Sequence, residues 1–176
     1  LEGAPPAEWL ENGHVYIQDP GTALACDLLA PRRDETVLDL CAAPGGKTAL
    51  IADRMKNGGR IVATDASRER IVRLEENLRR LRVKIAKCDA IDWLHPPKSK
   101  LNRLPRFDAI LADVPCSNTG VMRRRIDVRW RLRPDEFAHL QAQQLSIAAA
   151  CLPLLKPGGR LVYSTCSLEP EENQGV

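Results

Sequence analysis

Two short stretches place a thiol just beyond an apolar run: Asp113-Val-Pro-Cys116 follows Phe107 to Ala112, and Ser164-Thr-Cys166-Ser167 follows Arg160 to Tyr163. Neighbouring strands of a sheet lie about 4.8 Å apart, so thiols at two adjacent strand ends can converge, with Asp113, on one bound base. A cysteine taken singly is most often a small core hydrophobe. Two of them past the carboxyl ends of strands, where parallel sheets bind ligands, instead suit covalent catalysis.

A third strand-end segment points to a cofactor. Cys41, Ala42, Ala43, Pro44, Gly45, Gly46 and Lys47 are small or flexible residues that open a helix. Glycines there let a ligand approach the backbone, and the helix start offers free N–H groups. Asp65 ends the next run about 20 residues on, the usual place of a ribose-binding carboxylate in this architecture, and Asp89 follows the run after that. The spacing is not that of a phosphate-cradling loop, because Cys41 stands where G-x-x-x-x-G-K-[ST] needs its first glycine, and G-x-G-x-x-G is absent. An adenosyl cofactor without a pyrophosphate is the expectation.

The elements that must position these residues alternate strand and helix. Strands are expected at Thr36 to Cys41, Arg60 to Asp65, Val83 to Lys87, Phe107 to Asp113 and Arg160 to Ser164. Helices are expected from Thr22 to Leu29, opened by Gln18-Asp-Pro-Gly21, from Lys47 to Met55, from a Ser67 cap to Arg80, and from Pro134 to about Leu155. Ile71, Leu74, Leu78 and Leu81 form the apolar stripe of the third. Residues 92–106 read as a surface loop, and Lys156-Pro-Gly-Gly159 as the turn that launches the last strand. The fold expected is α/β and Rossmann-like, a mainly parallel sheet with helices on both faces.

Composition narrows the setting. With 176 residues and 44% hydrophobic content, one domain spanning 1–176 is expected. No apolar run approaches the roughly 20 residues of a membrane span, and no signal peptide is recognisable, so a soluble, cytoplasmic protein is expected. The six cysteines include no C-x-x-C pair, so free thiols are expected and no metal site. Aromatic content of 4% argues against a broad base-stacking platform. The net charge of +3 decides little, but Arg123, Arg124, Arg125, Arg129, Arg131 and Arg133 cluster after the Pro-Cys stretch with only Asp127 opposing. Such a run is often only a solvated face, yet its position beside the thiols makes it the expected contact for nucleic-acid phosphates, with Trp130 read either as a stacking residue or, preferably, as an anchor to the core.

Gln18-Asp19, Asp39 to Thr48, Asp113-Val-Pro-Cys-Ser-Asn-Thr-Gly120, Ser164 to Ser167 and Pro170-Glu-Glu-Asn173 together resemble, in order and spacing, the motif series of the Sun/Fmu-type RNA cytosine-5 methyltransferases. The resemblance implies a class I S-adenosylmethionine-dependent methyltransferase acting on RNA, ribosomal rather than transfer RNA, as a monomer without metal. It implies that Cys166 adds to carbon 6 of cytosine, that Asp113 holds the ring at nitrogen 3 and the exocyclic amine, and that Cys116 assists removal of the carbon 5 proton. It implies that Cys41 to Lys47, Asp65, Asp89 and Asp113 line the cofactor site. DNA cytosine-5 methyltransferases use the Pro-Cys cysteine as nucleophile, and the second cysteine at Thr165-Cys166 favours the reversed roles.

The sequence departs from the family at Asn118, where Gly or Ala is commoner, and at Gly21-Thr22. It also begins just ahead of the Gln-Asp motif and stops soon after the fifth strand, as expected of a catalytic fragment lacking an N-terminal RNA-binding domain and the last strands. A methyltransferase acting on exocyclic amines would carry an Asp/Asn-Pro-Pro-aromatic loop, which Asp113-Val-Pro-Cys116 is not. A non-catalytic RNA-binding assembly factor of the same fold would have no need of both thiols.

Overall fold

The computed structural model describes residues 4–176. Five strands, β1 (Thr36–Asp39), β2 (Arg60–Asp65), β3 (Ala86–Ala90), β4 (Phe107–Asp113) and β5 (Leu155–Ser164), form one all-parallel sheet in the order β3-β2-β1-β4-β5. The helices are α1 (Ala7–Glu11), α2 (Pro20–Leu29), α3 (Gly46–Arg54), α4 (Arg68–Arg80), α5 (Lys98–Leu101), α6 (Val128–Arg131) and α7 (Pro134–Cys151). This is the expected doubly wound, Rossmann-like α/β arrangement. Strand order reverses between β1 and β4, which opens a crevice at their carboxyl ends.

Both faces of the sheet are apolar because successive strand residues point to opposite sides. Val37, Ile61, Ala63, Ala109 and Leu111 pack with α2, α3 and α4 residues such as Cys26, Ile51 and Leu74. Leu38, Val62, Ile110 and Ala112 face the other way, against Trp93, Ile147 and Cys151. Burying one such leucine or isoleucine stabilises the fold by about 1.5–3 kcal/mol. Helix starts follow local chemistry: Asp19 caps α2 by accepting from Gly21 N at 2.9 Å, and Ser67 caps α4 by accepting from Arg70 N at 3.3 Å.

Several expectations need correction. The third strand lies at Ala86–Ala90, not Val83 to Lys87. Arg82 takes φ 59° and Val83 N–H returns to the Leu78 carbonyl, so those residues close α4 before pairing can begin. Asp89 therefore sits inside the strand, opposite Thr64, rather than after it. Lys156-Pro-Gly-Gly159 is not a turn ahead of β5 but a bulge within it: Leu155 pairs with Phe107 and Arg160 with Ala109. Pro157 has no N–H to give the ladder, and Lys156 clamps the bulge to Asp108 at 2.8 Å. α7 accordingly stops at Cys151, and β1 at Asp39 rather than Cys41. The 92–106 segment contains the short α5. Among the described residues, no helix is long and apolar enough to cross a membrane, and no cluster of three or more potential metal ligands occurs.

Candidate active site

Pairing of Asp113 with Ser164 brings the ends of β4 and β5 level, so the two turns that carry the cysteines leave the sheet side by side. Val114 N–H bonds the Ser164 carbonyl at 3.1 Å, and Gly120 N–H bonds the Cys166 carbonyl at 2.9 Å. Gly120 has to be glycine, because a Cβ there would lie 2.7 Å from that carbonyl oxygen. The outcome is a thiol pair with Cys116 Sγ and Cys166 Sγ 3.1 Å apart. That is too long for a disulfide bond of about 2.05 Å and close enough to share a proton. Asn118, at φ 64°, stands against both: its side-chain oxygen lies 3.2 Å from Cys166 Sγ and its amide donates to the Cys116 carbonyl at 2.8 Å.

Electrostatics separate this pair from the other four cysteines. Burial pushes the thiols of Cys26 and Cys41 up to about 12 and those of Cys88 and Cys151 up to about 11, which leaves them protonated and inert. Cys116 goes the other way: the hydrogen bond from Cys166 outweighs burial, with further help from the Thr165 hydroxyl and backbone groups at Asn118 and Cys166. Cys166, as the donor, is held well above the ordinary thiol range. The pair therefore gives up its first proton more readily than an ordinary thiol and its second less readily.

Asp113 joins the thiols to the loop Cys41 to Lys47. Lys47 Nζ reaches its Oδ2 at 2.7 Å and the Ser164 hydroxyl its Oδ1 at 2.6 Å. On one side of this ion pair is a cleft of about 310 Å³ bordered by Cys41, Arg70, Asp113, Cys116, Arg125 and Cys166. On the other is a cleft of about 240 Å³ bordered by Tyr16, Asp19, Asp39, Cys41, Ala42, Ala43, Pro44, Gly46 and Lys47. Gly46 lies under Tyr16, where a Cβ would stand 2.7 Å from the ring. Asp39 is wholly buried: its Oδ2 accepts from Thr48 Oγ1 at 2.6 Å, while its Oδ1 has no partner.

Not every expected residue borders these clefts. Gly45 turns its Cα toward Leu74, and φ 107° accounts for the glycine. Asp65 is buried beneath Arg70, whose Nη2 lies 3.3 Å from it and donates to the Ala43 carbonyl at 2.8 Å. Asp89 pairs with Lys100 at 2.7 Å. Of the arginines, Arg125 borders the thiol cleft, Arg124 forms an ion pair with Asp19, and Arg123 and Arg129 are exposed. The expected Trp130 anchor is wrong: Trp130 is 87% exposed, and buried Val128 pins α6 instead.

Sequence reasoning missed Asp39, Ser164, Arg70, Gln144 and Glu172. Glu172 and Asp39 lie inside motifs quoted above without a role. Gln144 left a signal of its own, a glutamine on the otherwise apolar stripe Leu140, Ile147, Cys151 of α7.

The profile of the 16S rRNA methyltransferase RsmB/F family matches residues 26–176. The probable ribosomal RNA small subunit methyltransferase B of Bacillus subtilis is 42% identical over 168 residues, covering 96% of this chain and 37% of the relative. The ribosomal RNA small subunit methyltransferase B of Cronobacter sakazakii is 45% identical over 93% of this chain, again 37% of the relative. The chain thus spans little more than a third of the length of these relatives. Among solved structures, NSun6 of Pyrococcus horikoshii, crystallised with the S-adenosylmethionine analogue SFG, superposes with a TM-score of 0.86 at 36% identity, over 99% of this chain and 44% of that one.

Proposed function

Since the chain belongs to the 16S rRNA methyltransferase RsmB/F family, we propose that it methylates carbon 5 of a cytosine in ribosomal RNA, with S-adenosylmethionine as donor and Cys166 as covalent nucleophile. The observation that carries this reading is the thiol pair: two sulfurs 3.1 Å apart beside Asp113, opening on the cleft that adjoins the cofactor loop.

Features of the fold fit the cofactor. Asp39 offers an unpaired carboxylate oxygen at the edge of the 240 Å³ cleft, suited to an ammonium group, and Gly46 keeps its backbone bare. Cys41, Ala42, Ala43, Pro44, Gly46 and Lys47 would line the binding site, Asp65 and Asp89 would take the ribose and base once Arg70 and Lys100 yield, and Asp113 would border the reacting end. When bound, the cofactor supplies an electrophilic methyl group on a sulfonium.

The residues of the chain do the rest. Cytosine carbon 5 is a poor nucleophile until carbon 6 is saturated. As Cys166 Sγ bonds carbon 6, its proton passes to water, and the Cys116 thiolate 3.1 Å away is kept for the later step. Electrons displaced from the 5,6 double bond make carbon 5 enamine-like. Asp113 faces nitrogen 3 and the exocyclic amine, and the Lys47 ammonium beside it offsets the negative charge that develops on the ring. After methylation the Cys116 thiolate takes the carbon 5 proton, the electron pair of that C–H bond re-forms the 5,6 double bond and expels Cys166 as thiolate, and the proton returns to Cys166 across the 3.1 Å contact. The target base has to leave its stack to reach this cleft. Arg123, Arg125 and Arg129 would hold the RNA backbone, and exposed Trp130 would stack on an unpaired neighbouring base.

Denaturing gels with RNA and cofactor test the roles. Cys116→Ala accumulates a covalent protein–RNA adduct and Cys166→Ala forms none; the opposite pattern overturns the assignment.

A further inference from the structure

Both cysteine-bearing turns are tied to one buried carboxylate. Glu172 ends the 3-10 turn Pro170–Glu172 and has no exposed surface. Its Oε2 accepts from Ser117 N at 2.9 Å and from Gln144 Nε2 at 2.8 Å, and its Oε1 accepts from the Ser167 hydroxyl at 2.7 Å. Ser117 directly follows Cys116, Ser167 directly follows Cys166, and their hydroxyls meet at 3.0 Å. Gln144 adds a bond to the Pro115 carbonyl at 2.9 Å, so both neighbours of Cys116 are held from the same place. Tyr163 closes the hub: its hydroxyl donates to the Glu172 carbonyl at 2.8 Å and stands 3.1 Å from Gln144 Oε1.

A buried carboxylate is a costly way to hold two turns together, since an ionised group loses its hydration unless every lone pair is satisfied. Burial opposes its ionisation, yet the bonds from Ser117 and Ser167, and then Gln144, hold Glu172 below the usual carboxyl range. Apolar side chains could fill the same space, but they would leave the inward Ser117 N–H without an acceptor and would not fix direction. Bonds to an ionised acceptor are short and directional. What they fix here is where the two turns stand relative to each other.

We propose that Glu172 is a positioning residue for the thiol pair, setting the separation of Cys116 and Cys166 by holding Ser117 and Ser167 on one carboxylate; its catalytic importance rests on the proposed covalent mechanism. Gln144 and Tyr163 orient Glu172 in turn. Proton sharing between two sulfurs falls steeply with distance, so loosening the hub returns the pair toward two independent thiols.

The test uses Glu172→Gln, nearly equal in size, whose amide sets an N–H₂ group against a donor that the carboxylate had accepted. Phenylarsine oxide reports the sulfur separation without any methyl transfer: it condenses with two adjacent thiols to give a cyclic dithioarsinite and one water. The expected result is a folded protein whose arsenical capture is about tenfold slower, whose first thiol ionisation moves to higher pH, and whose kcat falls about 10²-fold with the cofactor KM within about twofold. Ser167→Ala, which removes a single arm, shows the same changes more weakly and serves if Glu172→Gln does not fold. Capture and titration unchanged from wild type in a folded variant would overturn the proposal, leaving Glu172 a support of the fold alone. Because both readouts need no RNA, failure of wild-type protein to form an RNA adduct would strike the cytosine reading and leave this one standing.

Discussion

Replacing Asp39 by asparagine is expected to destabilise the protein in acid and stabilise it above neutrality. Asp39 has no exposed surface, one oxygen bonded to Thr48 and the other without a partner. Burial pushes its carboxyl from 3.8 up to about 7; the Thr48 bond opposes this, Asp113 and Asp65 add to it, and Lys47 counters them. The folded chain therefore holds this proton more tightly than the unfolded one. The stability it contributes is complete below pH 4, is lost as pH rises toward 7, and is level above that. A shift of about 3 units at about 1.4 kcal/mol each is roughly 4 kcal/mol. Asparagine does not titrate and still accepts from Thr48, but it buries an N–H₂ without a partner, at about 1–3 kcal/mol. Asp39→Asn should thus be about 1–3 kcal/mol less stable at pH 4 and about 1–3 kcal/mol more stable at pH 8. The two lines cross between about pH 4.5 and 6. Urea unfolding of both proteins from pH 4 to 9 measures the difference, in which all other titrating groups cancel. A gap that does not change with pH, or that moves against the variant as pH rises, refutes the reasoning. Calorimetric titration should show the stabilised variant binding S-adenosylmethionine more weakly, because the orphan oxygen is gone.

Three further outcomes follow from the same geometry. Thiolate absorbance near 240 nm should show one ionisation below the ordinary thiol range; Cys116→Ser should abolish it, and Cys166→Ala should return Cys116 toward an ordinary thiol, since the Cys166 hydrogen bond is the chief cause of the lowering. Gly120→Ala places a methyl 2.7 Å from the Cys166 carbonyl, so kcat should fall about 10²-fold while cofactor affinity, measured by calorimetry, stays within about twofold. For RNA binding, Arg125→Ala with Arg129→Ala should flatten the slope of log affinity against log salt by about 2, whereas Arg124→Ala should change it least, because Asp19 already neutralises that side chain.

Much of the fold was legible because periodicity and caps are local. The apolar runs of β1, β2 and β4, the Ser67 cap and the Ile71-Leu74-Leu78 stripe of α4 need only neighbours in sequence to declare themselves. Boundaries failed where a backbone group had a competing partner: Val83 spent on closing α4, Lys156 to Gly159 absorbed as a bulge by the β4 ladder. Trp130 was misjudged because an aromatic among arginines looks the same whether it turns inward or outward, and it is Val128 two residues away that fills the core.

The sequence by itself determined which groups stand beyond the ends of the parallel strands: two thiols, an aspartate and a small-residue loop, in an order that identifies the family. Only the tertiary structure decided how those groups act on one another. The 3.1 Å contact over which the two thiols share a proton, the Lys47–Asp113 bridge, the orphaned oxygen of Asp39 and the hub at Glu172 join residues from 9 to 66 positions apart in the chain. Ionisation and hydrogen bonding depend on distances of a few tenths of an ångström and on the exclusion of water, and packing across the sheet sets both.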